Sequence, residues 1–182
     1  MLGTWDRPAD GRRLPRFWVH ALLLGLGIAM SFPSLAAQEI IAGRASVLDG
    51  DTIEIRGERI RLFGIDAPES GQMCANANGQ SYRCGQKAAL VLDARIGEGV
   101  VTCERKDTDR YGRIVALCRV YGEDLGAWMV GLGWALAYRA YGTRYVPAEE
   151  LARSRSLGMW AGRFTPPSEW RKEHRRDAPA EP

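Results

Sequence analysis

Apolar and polar residues alternate with a period of two over Arg44 to Val47 and Thr52 to Ile55. That period predicts two half-buried strands, with Leu48-Asp49-Gly50 as the turn between them. Arg56-Gly57-Glu58 turns the chain into a third strand, Arg59 to Ile65, with Ile60, Leu62 and Gly64 on one face. Residues 38–43 form a short lead-in. Asp66 to Arg83 carries a proline, two glycines and two asparagines and predicts a loop. The period then changes. Ala88, Ala89, Val91, Leu92 and Ile96 form one apolar stripe of a helix over Gly85 to Ile96.

Gly99 to Arg105 and Ile114 to Val120 predict two more strands around a charged loop, Lys106 to Gly112. Asp124 caps a helix that runs through Leu132 on Leu125, Trp128, Met129 and Leu132. Ala135 to Tyr138 is short and apolar. Pro147 sits in the first turn of a last helix, Ala148 to Leu157, closed by Gly158. Three strands, a helix, two strands and further helices predict an α+β fold. Its expected architecture is a five-stranded antiparallel β-barrel of the oligonucleotide-binding type with about three flanking α-helices, over residues 37–170. Residues 171–182 are charged and proline-bearing and are expected to form a frayed tail.

The N-terminus does not belong to this pattern. Arg12, Arg13 and Arg16 precede an apolar run from Phe17 to Met30, then a break at Ser31-Phe32-Pro33 and the small residues Ser34-Leu35-Ala36-Ala37. That layout predicts an export signal over residues 1–36, cleaved after Ala36 or after Ala37, and a periplasmic or extracellular protein. An uncleaved membrane anchor is the alternative. The run is short for a span of about 20 residues and contains His20, Gly25 and Gly27. The four cysteines all follow the signal, in an even number that agrees with export. Of three possible pairings, Cys74–Cys84 closes an otherwise polar loop and Cys103–Cys118 links two apolar segments expected to pair. A zinc site competes with this reading but lacks Cys-x-x-Cys spacing and nearby histidines.

Charge adds little. The chain carries +3, and residues 37–182 hold 21 basic against 20 acidic residues. A nucleic-acid partner would therefore be held by a local site rather than by a basic exterior.

The candidate chemistry is concentrated in two segments. Asp49-Gly50-Asp51-Thr52 is followed by Arg61-Leu62-Phe63-Gly64-Ile65-Asp66-Ala67-Pro68-Glu69. Asp51 begins the second predicted strand and Asp66 ends the third, so an antiparallel turn brings them together. Two close carboxylates repel, and a divalent cation removes that repulsion. An all-oxygen site suits Ca²⁺ best, then Mg²⁺ or Mn²⁺. Glu69, redirected by Pro68, is the candidate to orient or deprotonate an attacking water. Arg61 and Arg113 are candidate phosphate clamps, because a guanidinium matches two phosphate oxygens and keeps its charge. Arg61 lies five residues before Asp66, an odd spacing, so a kink must bring both inward. Tyr111 and Tyr138 are candidates to stack on a base. His20 and His174 lie in the signal and the tail, and no nucleophilic-serine or phosphate-loop motif is present. Serine hydrolase, zinc hydrolase and NTPase chemistry therefore lose support.

Three segments carry a resemblance: Val47-Leu48-Asp49-Gly50-Asp51-Thr52, Arg61 to Glu69, and Asp109-Arg110-Tyr111-Gly112-Arg113. Weaker matches follow at Gly131 to Ala135 and Gly158-Met159-Trp160. In this order they resemble the staphylococcal nuclease (thermonuclease) family over roughly residues 43–162. The resemblance implies a Ca²⁺-dependent endonuclease acting on DNA and RNA with little base preference and leaving 3′-phosphates. It implies Asp51, Asp66 and the backbone carbonyl of Ala67 as ligands of one Ca²⁺, and Arg61, Glu69 and Arg113 as the catalytic trio. Ala67 stands where the family prototype has threonine, which keeps a backbone ligand and drops a hydroxyl. The prototype's basic loop has no clear counterpart, which implies a preference for single strands. A monomer is expected, with no membrane partner after signal cleavage. Ser70 to Cys84 departs from the prototype, and its cysteine pair suits an exported subgroup. The competing readings are a non-catalytic nucleic-acid-binding barrel and a disulfide-stapled oligosaccharide or peptide binder.

Overall fold

A computed structural model describes residues 39–177. The expected export signal and the last five residues of the expected tail lie outside them.

The first strand bends at Arg44, which divides it into β1 (Ile40–Gly43) and β2 (Ala45–Asp49). β3 (Thr52–Ile55) and β4 (Glu58–Leu62) continue as an antiparallel meander. β5 (Ile65–Asp66) is a separate two-residue strand. The predicted loop over 66–83 holds a small hairpin, β6 (Met73–Ala75) and β7 (Ser81–Arg83). Then come α1 (Cys84–Ile96), β8 (Val101–Thr108), β9 (Ile114–Val120), β10 (Glu123–Asp124) and α2 (Leu125–Gly131). β11 (Leu136–Ala137), α3 (Val146–Ser154) and α4 (Pro167–Asp177) complete the domain.

The main sheet runs β1-β8-β9-β4-β3-β2. Its path begins and ends on the two halves of one bent strand, so the sheet curls back on itself as a barrel. This is the expected α+β barrel, with two differences. The β4–β9 pairing is parallel, from Ile60↔Ile114 to Leu62↔Ala116. The α1 crossover and β8 lie between these two strands, long enough to bring the chain back in the same direction. Among the described residues there are also four α-helices rather than about three.

Inside the curl sit Ile53, Ile55, Ile60, Leu62 and Val101, all at most 2% exposed. α1 closes one end with Ala88, Leu92 and Ile96, as its apolar stripe predicted, while Ala89 and Val91 are half-buried at the flank. α2 adds Leu125 and Met129, and its cap is Asp124, whose Oδ1 accepts the Ala127 N–H at 3.1 Å. Each such Ile or Leu contributes about 1.5–3 kcal/mol on burial. Both expected disulfides are formed. Cys103 and Cys118 face each other in the β8–β9 register, with Cα atoms 4.0 Å apart. Cys74–Cys84 ties β6 to the start of α1.

The expected frayed tail is corrected for residues 171–177, which are the last turns of α4. Pro167 opens this helix with a preset φ and Glu169 follows in its first turn, where negative charge is favoured.

Candidate active site

The predicted strand Arg59–Ile65 does not run through. β4 stops at Leu62, and Phe63-Gly64 turns the chain before β5. Gly64 has φ +76°, and a Cβ there would lie 2.9 Å from the Tyr145 ring. Glycine is needed on both counts. β5 then pairs with β11, Asp66 opposite Leu136. The buried Glu149 fixes β11 by accepting the Ala137 N–H at 2.8 Å. This break in the strand is the kink that the odd spacing of Arg61 and Asp66 required.

Asp51 enters from the β2–β3 turn. Its backbone carbonyl accepts the Leu62 N–H at 2.8 Å, which locks it beside β4. Asp51 is 3% exposed and Asp66 4%. One nitrogen, Arg61 Nη2, lies 2.8 Å from Asp51 Oδ2 and 2.9 Å from Asp66 Oδ1. Asp51 Oδ2 also accepts the Ala67 N–H at 3.1 Å, and Asp51 Oδ1 accepts the Thr52 hydroxyl at 3.0 Å. The structure thus brings Asp51, Arg61, Asp66 and Ala67 together.

Burial pushes the Asp51 carboxyl up to about 7; Arg61 opposes the shift, while Asp49 and Asp66 reinforce it. For Arg61, burial pulls downward, but Asp51 and Asp66 more than offset it and hold the guanidinium above its ordinary value. Burial, reinforced by Asp49 and Asp66, thus disfavours the charged form of Asp51 more than Arg61 favours it.

Above this floor opens a cleft of about 1220 Å³, lined among others by Arg61, Glu69, Arg113, Tyr111 and Tyr138. Glu69 is held by a glycine contact: a Cβ on Gly85 would lie 1.7 Å from the Glu69 carbonyl, so α1 can start here only on glycine. Arg113 stands apart from the carboxylates. Its Nε donates to Asp109 Oδ2 at 2.7 Å, and Asp109 Oδ1 accepts the backbone N–H groups of Arg113 and Tyr111. Burial acts to raise the Asp109 carboxyl, but these hydrogen bonds prevail and hold it below its ordinary value. Tyr111 is 66% exposed, with the Arg110 and Arg113 guanidiniums at 4.9 and 5.6 Å from its ring. Tyr138 is half-exposed, with its ring 5.5 Å from that of Tyr141.

One residue of the site escaped the sequence reading. Arg171 of α4 grips both Asp66 oxygens, Nη1 at 2.9 Å from Oδ1 and Nη2 at 3.0 Å from Oδ2, and its Nη1 lies 2.7 Å from Glu69 Oε1. Burial opposes its charge, but the bonds to Asp66 and Glu69 prevail and raise its pKa. The available signal was Pro166-Pro167-Ser168-Glu169, a proline at a helix start with an acidic residue in the first turn.

The donor set fits a hard divalent cation: two buried carboxylates, Asp51 and Asp66, converge on one arginine nitrogen. Among the described residues, no three of His, Cys, Asp and Glu are grouped to hold a metal ion. A cation here would therefore use Asp51 and Asp66 and complete its shell with backbone and solvent oxygen.

A curled barrel that sets buried carboxylates and arginines in the floor of an open cleft defines a hydrolase of phosphodiesters, a nuclease. Residues 59–162 match the family described as staphylococcal nuclease homologue, and the chain belongs to the staphylococcal nuclease family, whose members are generally metal-dependent. Among its relatives are an uncharacterized endonuclease of Haemophilus influenzae, 31% identical over 71% of each chain, and a micrococcal nuclease of Shigella flexneri. The latter is 34% identical over 69% of this chain and 77% of its own. A succinoglycan biosynthesis protein, ExoI of Rhizobium meliloti, is 39% identical over 84% of each chain.

Proposed function

We propose that the chain is an exported, Ca²⁺-dependent endonuclease that hydrolyses DNA and RNA with little sequence preference, favours single strands and leaves 3′-phosphates. The observation that carries this reading is the convergence of Asp51 and Asp66 on one Arg61 nitrogen, with Glu69 on the wall of the same cleft. Asp51, Asp66 and the Ala67 carbonyl would hold the ion, which when bound supplies positive charge beside the scissile phosphate.

The remaining roles fall to the chain's own groups. Glu69 sits on the cleft wall, where its carboxylate can take a proton from the attacking water. Arg61 on β4 and Arg113 just before the adjacent, parallel β9 both line the cleft and offer planar donor forks to phosphate oxygens. Negative charge on those oxygens grows as phosphorus becomes five-coordinate, so fixed donors stabilise that state above the ground state, by about 3 kcal/mol each on the scale of other oxyanion donors. The bond to the 5′ oxygen breaks as the bond to water forms. Tyr111 and Tyr138 offer ring faces to bases on either side. Export is supported by the basic and apolar N-terminal pattern and by two formed disulfides. The chain is expected to act as a monomer.

The test is cutting of single-stranded DNA by the mature chain, with Ca²⁺ and with a chelator, beside Glu69→Gln and Arg113→Ala. The expected result is Ca²⁺-dependent cutting, with turnover lowered about 10²–10³-fold in each variant. Binding without cutting by the wild type would establish the non-catalytic barrel instead. Cutting by Arg113→Ala at the wild-type rate would remove that residue from the mechanism.

A further inference from the structure

α4 lies outside the segment that matches the family, yet it forms one wall of the cleft through Trp170, Arg171, His174 and Arg175. Its position is fixed by staples. Ala75 and Arg163 exchange backbone hydrogen bonds at 2.8 and 3.0 Å. Gln72, fully buried, donates from Nε2 to the Thr165 carbonyl at 2.6 Å and accepts the Glu69 N–H at 3.3 Å. The loop that carries Glu69 and the chain that leads into α4 are therefore one unit.

The wall changes the character of the cleft. The lining holds six arginines against five carboxylates, and two of the six come from α4. Without α4 the lining would have a negative excess, unsuited to a polyanion. Trp170 and His174, one helical turn apart, stack with centroids 3.7 Å apart and planes at 20°. His174 is exposed, so its outer face is open. Arg175 donates from Nε to the Arg171 carbonyl at 3.2 Å, and among the described residues no ion pair takes its terminal nitrogens. The cleft volume of about 1220 Å³ exceeds the range of about 300–1,000 Å³ for single small ligands, which leaves room for more than one nucleotide.

We propose that α4 is a substrate-binding wall for single-stranded nucleic acid. A base flanking the cut stacks on the outer face of His174 and extends the Trp170–His174 stack, and Arg175 takes a neighbouring backbone phosphate. This rests on the nuclease reading and adds a subsite to it. Stacking suits any base, since every base has a π-face, so the wall adds affinity without sequence preference.

The test measures binding of a fluorophore-labelled oligothymidylate by anisotropy in chelator, where nothing is cut. His174→Ala and Arg175→Ala are expected to weaken binding about tenfold, and Arg175→Ala to lower the salt slope by about one. His174→Phe is expected to keep the affinity, and Lys172→Ala, on the same helix but off the cleft, to match the wild type. The ratio of kcat/KM for oligonucleotide over a single-nucleotide aryl phosphodiester should fall with the affinity. Unchanged oligonucleotide affinity in His174→Ala and Arg175→Ala would overturn the wall. An equal loss in Lys172→Ala would also overturn it, as a diffuse charge effect. A wild-type chain that cuts neither substrate with Ca²⁺ would overturn the nuclease reading itself, whereas cutting with unaltered ratios would overturn only the wall.

Discussion

On the barrel floor, each charged side chain of the site is held by the register of the sheet: Asp51 in the turn before β3, bonded to β4 through its carbonyl, Arg61 on β4 and Asp66 on β5. Arg61 reaches Asp66 across five residues of sequence. On the C-terminal wall, Arg171 reaches the same Asp66 across 105 residues and depends on Gln72, Arg163 and a helix outside the barrel to get there. The floor is thus a product of local register and the wall of long-range docking. A floor of this kind can shift only if strands slip, which would turn buried side chains outward. The wall can loosen with the sheet intact.

The largest expected effect lies on the floor. With its folded pKa at about 7 against an ordinary 3.8, Asp51 binds a proton more tightly in the folded chain than in the unfolded one. Its stabilising contribution is therefore complete below pH of about 4 and is lost as pH rises through about 7. The span is on the order of 4 kcal/mol for a fully buried group. In chelator, thermal unfolding of the wild type relative to Asp51→Asn should lose stability over that window. A parallel pH profile for the two proteins would show that Asp51 is ionised at ordinary cost and that the floor carries no stored repulsion. Added Ca²⁺ should recover the loss at pH 7.

The disulfides probe each region separately. They close loops with sequence separations of 15 and 10, and each is expected to contribute about 3 kcal/mol to stability. Their effects on the site should differ. Replacing Cys103 and Cys118 by alanine removes a cross-strand tie within the sheet, so stability should fall while turnover of the remaining folded protein holds. Replacing Cys74 and Cys84 frees the hairpin that holds Arg163 and the loop of Glu69, so KM for oligonucleotides should rise as well. Equal changes in both pairs would erase the distinction between floor and wall.

The legibility of the molecule in its sequence follows the same division. The strands before residue 62, α1 and the Asp124 cap were readable, because period and capping chemistry are local. Asp51, Arg61, Asp66, Glu69 and Arg113 stood out through motif spacing, and all five lie in or beside one cleft, Arg113 apart from the paired carboxylates. The break at Gly64 was not readable, because the pressure on that residue comes from Tyr145, far along the chain. The parallel β4–β9 pairing was hidden for the same reason. Residues 171–177 of α4 were read as tail because their composition is charged and they carry no helical repeat of apolar residues. What orders it are the bonds of Arg171 to Asp66 and Glu69 and the bond of Gln72 to Thr165 just before the helix, which no period in its own sequence encodes.

The smallest effect tests how wall and floor communicate. Arg171 places a guanidinium on both oxygens of Asp66, where a divalent cation would need a donor. Arg171 and the cation therefore compete for the same charge, and removing the arginine should raise cation affinity. The guanidinium is about a third exposed, at 31%, so solvent screens the pairing to under about 1 kcal/mol and the gain should be about threefold. Calorimetric titration of Arg171→Ala with Ca²⁺ measures it directly, without any cutting. A weaker affinity in the variant would reverse the relation: Arg171 would then be holding Asp66 and Glu69 in the geometry that receives the ion, and the wall would help to build the floor rather than compete with it.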